Sequence, residues 1–354
     1  GKPFWAWNGK LTEEELLRQI DIFEQMGFGG FFMHSRTGLE TEYLGEEWFR
    51  LTRRCADYAA EKGMEAWLYD EDRWPSGAAG GKVTKDVEYR SRYLVFTPVS
   101  NEDRQNKDLG FDSSSKAAVQ GNGTLLARYD ITLENGCLKE YRRLADGEQG
   151  ENIWFLYEEI ARESPWYNNE TYVDTLNPKA IERFIEETHE QYLGCVGEEF
   201  GKTVPSIFTD EPQFSHKTTL SFAESGEDVI LPYTDSLPEG YKAAYGEDFF
   251  DTIPELIWEL PEEKVSAPRY HYHDFVAEQF SSSFADTIGN WCNDHGIMLT
   301  GHMMEEPTLT SQTNALGEAM RSYRSFQMPG IDMLCDWREY TTAKQAQSAS
   351  HQYG

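Results

Sequence analysis

The feature that most constrains the fold is a unit that recurs along the chain: an amphipathic helix, a glycine, a short apolar strand and a polar cluster. In the first copy Leu16, Ile20 and Phe23 fall at helical spacing and precede an apolar run at residues 28–33. A second copy has a strand at residues 64–69. Strands that alternate with helices and are apolar on both faces predict a parallel sheet with helices packed outside it.

The polar clusters favour a closed barrel over an open sheet. They follow the strands directly, so their side chains are expected at one rim of the sheet, where the active site of a (β/α)8 barrel lies. The alternative, an open doubly wound sheet, usually binds a nucleotide through a glycine-rich first turn, and the sequence has no G-x-G-x-x-G or G-x-x-x-x-G-K motif. We therefore predict an α/β fold, a TIM-type (β/α)8 barrel.

Six strands of this barrel are predicted, near residues 28–33, 64–69, 172–176, 206–210, 297–301 and 331–334. Six strands out of eight would leave two exposed sheet edges, which favour aggregation. We therefore expect a barrel that is truncated at its C-terminal end, or strands that the pattern does not reveal.

Two stretches interrupt the repeating unit. Residues 83–165 lack helical periodicity and carry Asn135-Gly136 between two alternating runs, which is a hairpin signal. Residues 213–265 are acidic and contain four prolines, which indicates a lid-like excursion. The predicted organisation is a first barrel part, a β-rich insertion after strand 2, a middle part, the acidic excursion and a last part, at residues 1–82, 83–165, 166–212, 213–265 and 266–354. A chain of 354 residues also admits two domains.

Charge and cysteine usage restrict the partners. With 32 Lys+Arg and 62 Asp+Glu the net charge is −30, which disfavours nucleic acid and anionic membrane surfaces. No apolar run approaches the roughly 20 residues that a membrane span needs. Five widely separated cysteines without metal or redox spacing indicate reduced thiols and a cytoplasmic protein. The start at Gly1 leaves room for a removed export signal.

Asp210 and Glu211, at the end of the strand at residues 206–210, are the sharpest candidates for chemistry. A carboxylic acid can protonate a leaving oxygen if burial raises its pKa, and a neighbouring carboxylate pushes the pKa in the same direction. The alternative is a helix N-terminus at Pro212 with both acids solvated.

Polar residues after the other strands are candidates for binding. Asp70, Glu71 and Asp72 could accept hydrogen bonds from sugar hydroxyls, and Trp74 offers an apolar face, although an acidic loop neutralised by a neighbouring arginine remains open. His34 and Arg36 follow the first predicted strand, where a lone histidine is often structural. His302, Glu305 and Glu306 follow a later one, where hard oxygen ligands could hold Ca²⁺ and a solvated turn is the alternative.

Four segments together resemble the catalytic region of the α-L-rhamnosidase-type glycoside hydrolases (family 106 and its uncharacterised relatives). They lie at residues 3–9, 29–36, 69–77 and 209–212, and the resemblance covers most of the chain outside the two excursions. It implies a (β/α)8 barrel, hydrolysis of a terminal deoxysugar or related glycoside by an inverting mechanism, and a calcium ion near the sugar hydroxyls. Glu211 matches the general acid, whereas the second carboxylate is expected on a strand after residue 354, and no residue here matches it.

The first hypothesis is therefore a glycoside hydrolase that acts on a small neutral carbohydrate with an α-L-rhamnoside-like terminal sugar, with Glu211 as general acid. The expected substrate-binding residues are His34, Arg36, Asp70, Glu71, Asp72, Trp74, Asp210, His302, Glu305 and Glu306. A non-catalytic carbohydrate-binding barrel is the alternative from another class. A metal-dependent amidohydrolase would need more histidines at strand ends than His34 and His302.

Overall fold

The structure is a computed structural model that describes residues 1–104, 119–334 and 338–354. Residues 105–118, part of the predicted β-rich insertion, and Cys335 lie outside the described residues. The described strands are β1 Phe4–Gly9, β2 Gly30–Leu39, β3 Glu65–Tyr69, β4 Arg92–Thr97, β5 Thr124–Glu134, β6 Cys137–Arg143, β7 Ile153–Ile160, β8 Ser206–Asp210, β9 Val229–Tyr233, β10 Met298–His302 and β11 Met328–Pro329. The described α-helices are α1 Glu13–Gln25, α2 Glu46–Lys62, α3 Pro178–Glu187, α4 His189–Val196, α5 Leu237–Tyr245, α6 Phe249–Ile257, α7 Ala267–Phe280, α8 Thr287–Asp294, α9 Leu309–Ala315, α10 Ala319–Tyr323 and α11 Tyr340–Tyr353.

A parallel sheet of six strands, in the order β1-β2-β3-β8-β10-β11, alternates with helices and carries the candidate site. Its neighbouring strands are all parallel, so their carboxyl ends share one edge. The two faces of β1 differ: Trp5 and Trp7 are buried, whereas Phe4 is half exposed. The predicted α/β class is confirmed, and the sheet is consistent with a partial TIM barrel.

The antiparallel insertion leaves this sheet after β3, which is the second predicted strand, at residues 64–69, so the predicted position of the insertion is confirmed. Its strands are ordered β6-β5-β7-β4-β9. The predicted hairpin is present, since β5 and β6 pair antiparallel around Asn135 and Gly136, both with positive φ. From the second excursion, β9 pairs with β4, so the two interruptions share one sheet. β3 is the second predicted strand but the third observed one, because the periodicity did not reveal β1, which precedes the first predicted strand.

Two predicted strands are wrong. Residues 172–176 form one isolated bridge, between Val173 and Arg90, and run on into the start of α3. Residues 331–334 have no strand pairing; the pairing lies earlier, at β11, where Gly330 N donates to Gly301 O at 2.7 Å. The chain then turns away, because the amide of Asp332 donates to the Glu306 carboxylate instead of to a strand.

Aromatic rings cover one face of the parallel sheet, the face that carries Phe4 and lies opposite the buried tryptophans of β1. Phe4 contacts Phe32, with ring centroids 4.8 Å apart, and Phe208, at 4.9 Å. The ring of Tyr69 lies edge-on to that of His34, at 3.9 Å. Aromatic pairs in tilted or edge-to-face arrangements at such distances add about 0.5–1.5 kcal/mol per pair beyond area burial, so these ring contacts stabilise this face of the sheet. Among the described helices none has the length and apolar character needed to cross a membrane.

Candidate active site

A cavity of about 580 Å³ opens at the carboxyl edge of the parallel sheet. Its wall has a polar part, which includes both residues of the predicted acid pair, and an apolar part. The polar residues are His34, Arg36, Asp210, Glu211, His302 and Asp332, and the others are Phe4, Ala6, Trp74, Phe208, Gly330, Ile331 and Leu334. Because these residues come from all six parallel strands or the segments after them, the sheet itself assembles the cavity.

Glu211 faces this cavity directly after β8. Its φ of 49° is unusual for a residue with a side chain, and its amide donates to His302 O at 3.2 Å. Among the described residues, no hydrogen bond holds its carboxyl group. Burial, and then the negative charge of Asp210, raise the pKa of Glu211 to about 7. Backbone held in a sparsely populated region costs about 1–3 kcal/mol and is common at functional sites.

Asp210 has the opposite environment. Its Oδ2 accepts a hydrogen bond from the Tyr69 hydroxyl at 2.6 Å, and its Oδ1 lies 2.7 Å from His302 Nε2. Burial would raise the pKa of Asp210, but the bonds from His302 and Tyr69 lower it overall. Burial would likewise lower the pKa of His302, but the Asp210 contact raises it to about 9. Asp210 and His302 therefore form a buried ion pair at neutral pH.

Glu71, one of the predicted binding residues, is turned away from the cavity. It is 1% exposed, and both carboxylate oxygens accept hydrogen bonds from backbone amides of its own loop. Asp70 and Asp72 are also buried outside the cavity wall: Asp70 accepts from the Ser76 hydroxyl at 2.6 Å, and Asp72 from the Ser35 hydroxyl at 2.8 Å. A direct contact of these three acids with substrate stays a prediction, and the structure gives them internal partners.

His34, Arg36 and Trp74 line the cavity on its other side. The first two belong to β2, which continues beyond the predicted apolar run. Burial lowers the pKa of His34 to about 4, so this imidazole is neutral at pH 7. The Arg36 guanidinium lies over the Trp74 ring, 4.4 Å from its centroid. The indole therefore supports the arginine on that face, instead of offering that face to a sugar.

The segment after β10 separates its two glutamates. Glu305 is exposed, whereas Glu306 is buried and accepts from the Tyr323 hydroxyl at 2.7 Å and from the Asp332 amide at 2.9 Å. Glu306 thereby holds the segment that carries Asp332, whose carboxylate lies 4.0 Å from His302 Nε2. Neither glutamate is on the cavity wall.

The donor set does not fit the calcium ion that the resemblance implies. Within the described ranges, one group of three side chains brings potential ligand atoms within 4.8 Å of one another: Asp210, Glu211 and His302. Calcium takes six to eight oxygen ligands, as a rule, at about 2.3–2.6 Å. Here Asp210 already accepts from Tyr69, and the His302 nitrogen facing it carries a proton. These three side chains therefore form an ion pair beside an acid and do not make a calcium site.

Sequence reasoning missed several residues of the cavity. Asp332 lies inside a predicted strand that does not form, and Tyr69, which is outside the cavity wall but bonds Asp210, counts as an apolar strand residue in the sequence pattern. Phe4 belongs to a recognised segment, but its strand was not predicted. A usable signal was the pairing of β1 with β2: once β1 is recognised, alternation places Phe4 and Ala6 on the face opposite the buried tryptophans.

Comparisons with known proteins bear on the fold. No protein-family model matches the chain, and no curated protein matches it. Among solved structures, a rhamnosidase from Novosphingobium sp. PP1Y is similar over 100% of this chain, with a TM-score of 0.59 and 12% identity. The chain spans about half of that protein, 51% of its length. A β-galactosidase from the Antarctic haloarchaeon Halorubrum lacusprofundi matches 94% of this chain and 40% of its own, with a TM-score of 0.39 and 11% identity. The first similarity supports the fold alone.

Proposed function

We propose that this protein is a glycoside hydrolase that removes a terminal sugar, with Glu211 as the general acid. One observation carries the proposal: of two adjacent carboxyl groups at the rim, Asp210 is paired with His302 and Tyr69, whereas the carboxyl group of Glu211 faces the cavity without a hydrogen bond from the described residues. Their pKa values are therefore shifted in opposite directions, and that of Glu211 is raised. Such a division between neighbouring acids supports an assignment of acid and ionised roles. The fold that resembles a rhamnosidase supports the same class of reaction.

The proposed step is a proton transfer. With a pKa of about 7, a substantial fraction of Glu211 carries its proton at neutral pH. As the bond between the anomeric carbon and the glycosidic oxygen breaks, that proton passes to the oxygen, the aglycone leaves as an alcohol, and Glu211 is left ionised. Water supplies the new hydroxyl group at the anomeric carbon. An inverting outcome would require a second carboxylate to accept the proton of that water.

The remaining wall supports binding of a small neutral sugar. Arg36 and the protonated His302 offer hydrogen-bond donors, and the ionised Asp210 stabilises that charge. Phe4 and Ile331 form part of an apolar surface that suits the methyl group of a 6-deoxysugar. We therefore propose an α-L-rhamnoside-like substrate.

The direct test is the hydrolysis of aryl α-L-rhamnopyranosides by the wild type and by Glu211→Gln. Loss of general acid catalysis should lower the rate by about 10²–10⁴-fold for a phenyl leaving group. The matched control is Glu182→Gln, an exposed glutamate of α3, which should retain the parental rate. Parental activity in Glu211→Gln would refute the assignment. Stabilisation of the protein by L-rhamnose without any turnover would instead support the non-catalytic carbohydrate-binding barrel.

A further inference from the structure

We propose that Glu71 is a positioning residue for Glu211: it folds the loop after β3 around its own carboxylate, and that loop in turn fixes the backbone beside the acid. The inference rests on the proposed function, because it gives Glu71 a role in the reaction. Glu71 does not line the cavity and acts through the backbone of its loop.

The carboxylate of Glu71 is the centre of this loop. Its Oε2 accepts from the amides of Gly77, Ala78 and Ala79 at 2.8–3.0 Å. Its Oε1 accepts from two further amides, those of residues 72 and 80. Hydrogen bonds to an ionised acceptor are roughly twice as strong as neutral ones, and converging amides form a concave anion site. Burial raises the pKa of Glu71 to about 7, but all five of its partners are hydrogen-bond donors. This geometry favours the ionised form, so the loop carries its own anion.

The loop backbone has positive φ at four positions; three are glycines, which adopt it readily, and one is an alanine, for which it is strained. Gly77, Ala79, Gly80 and Gly81 all have positive φ values, and Ala79 has one in spite of its side chain. Gly81 also sits too close to its neighbours for any side chain, because a Cβ there would lie 2.4 Å from Tyr167 O. Residues forced into such regions persist only when the surroundings over-determine them. The Glu71 carboxylate supplies five of the hydrogen bonds that do so.

Ser76 connects this loop to the catalytic strand. Its amide donates to Asp210 O at 2.8 Å, and its hydroxyl oxygen accepts from the Asp210 amide at 2.8 Å. The same hydroxyl donates to Asp70 at 2.6 Å, which fixes its rotamer. Two hydrogen bonds to Ser76 thus hold the backbone of Asp210. The next residue is Glu211, whose own φ is strained. A displacement of the loop would move the acid relative to the glycosidic oxygen.

The substitution Glu71→Gln tests this connection. It nearly preserves the size of the side chain but replaces one acceptor oxygen by an NH₂ group, which faces backbone donors. We expect kcat for phenyl α-L-rhamnopyranoside to fall by about 100-fold, the usual scale for misplacing a catalytic group by about 1 Å. For 2,4-dinitrophenyl α-L-rhamnopyranoside, whose leaving group needs no proton, kcat should change less than about threefold, because the step then needs no general acid.

Two further variants separate positioning from a general loss of structure. Ser76→Ala removes the hydroxyl group with its bonds to the Asp210 amide and to Asp70, and keeps the backbone bond to Asp210 O. It should show the same dependence on the leaving group, with a loss of about tenfold for the phenyl substrate. Asp174→Asn is the control: Asp174 is a buried carboxylate that also accepts a backbone amide, but it lies outside the cavity wall and bonds Thr234. Asp174→Asn should lower the stability of the protein and change kcat for the two substrates by the same factor.

The outcomes of the two proposals are distinguishable. If Glu211→Gln loses phenyl glycoside turnover while Glu71→Gln and Ser76→Ala affect both leaving groups equally, the positioning role is wrong and the proposed function stands. If the wild type cleaves neither substrate, the proposed function fails. The positioning role is then tested by carbon NMR of the Glu211 carboxyl group, whose signal is assigned by its absence in Glu211→Gln. The pKa of Glu211 should fall towards 4.5 in Glu71→Gln, and an unchanged pKa overturns the inference.

Discussion

Replacing Asp210 with asparagine should change how stability depends on pH, because it removes the partner of His302. The pKa of His302 is about 9 in the folded protein against an ordinary 6.5, which corresponds to about 3 kcal/mol. A raised pKa stabilises the fold fully below the unfolded pKa, and that stabilisation is lost as the pH rises through the folded one. In Asp210→Asn the two largest contributions that raise the pKa of His302 are lost, so burial, which lowers this pKa, is opposed only by the charges of Glu306 and Glu211.

The free energy of unfolding in urea should therefore differ between the wild type and Asp210→Asn most strongly near about pH 6. The difference should shrink by about 3 kcal/mol by about pH 10, where His302 is neutral in both proteins. The part of the difference in unfolding free energy that does not change with pH reflects the lost hydrogen bond from Tyr69. Tyr69 does not titrate in this range, because its pKa lies well above 10. His302→Gln provides the control background, in which Asp210→Asn should show no pH dependence above about pH 8; the pKa of Glu211, which also responds to the Asp210 charge, lies below that range. A difference of the same size at both pH values would refute the ion pair.

Three further predictions follow from the cavity and its strands. Asp332→Asn should lower the pKa of Glu211, because the negative charge of Asp332 raises it; the alkaline limb of kcat/KM then moves to lower pH, and an unmoved limb would contradict this. The aryl α-L-rhamnoside should be hydrolysed with a kcat/KM at least about fourfold above that of the α-L-mannoside, which carries a hydroxyl group where rhamnose has its methyl hydrogen; equal values would argue against the apolar wall. Gly301→Ala should destabilise the protein by at least about 3 kcal/mol in urea unfolding, since its φ is 137° and a Cβ would lie 1.9 Å from Thr209 O. Gly194→Ala, with open space in helix α4, should instead stabilise by up to about 1 kcal/mol, and similar effects of the two substitutions would contradict the packing argument.

The elements that the sequence predicts well are those specified by local signals. The strand at residues 206–210 coincides with β8, and Leu16, Ile20 and Phe23, which fall at helical spacing, lie in α1. The Asn135-Gly136 turn was sufficient to predict the β5-β6 hairpin. Helical periodicity and turn chemistry act within a few residues, so they are legible without knowledge of the fold.

The elements that it misses depend on distant partners. β9 is a strand because β4, more than 130 residues earlier, offers it an edge. β11 has two residues, and only its pairing with β10 distinguishes it from a loop. In residues 172–176 the apolar pattern reflects burial of Tyr172, Val173 and Leu176 in the core, without a neighbouring strand to pair with. Burial alone produces the same pattern, so periodicity cannot separate the two cases.

The direction of a carboxylate is the property of the site that residue type cannot specify. Asp70, Glu71 and Asp72 follow one strand and were all predicted to bind substrate, yet Glu71 is surrounded by amides of the residues that follow it. A signal for this was present in the small residues at positions 77–81, which allow a backbone to close around an anion. An acidic residue followed closely by a glycine- and alanine-rich run can satisfy its charge within its own loop.

The same reasoning explains why Asp210 and Glu211 differ although they are chemically alike and adjacent. Asp210 continues β8 in register with His302, so the sheet itself brings a cation and the Tyr69 hydroxyl to its two oxygens. Glu211 leaves the strand with a positive φ, which turns its side chain out of that register and away from those donors. Its charge is then opposed by burial and by Asp210, with little to compensate it. The end of one strand therefore separates a carboxyl group whose pKa is lowered from one whose pKa is raised, and the loop held by Glu71 fixes the backbone between them.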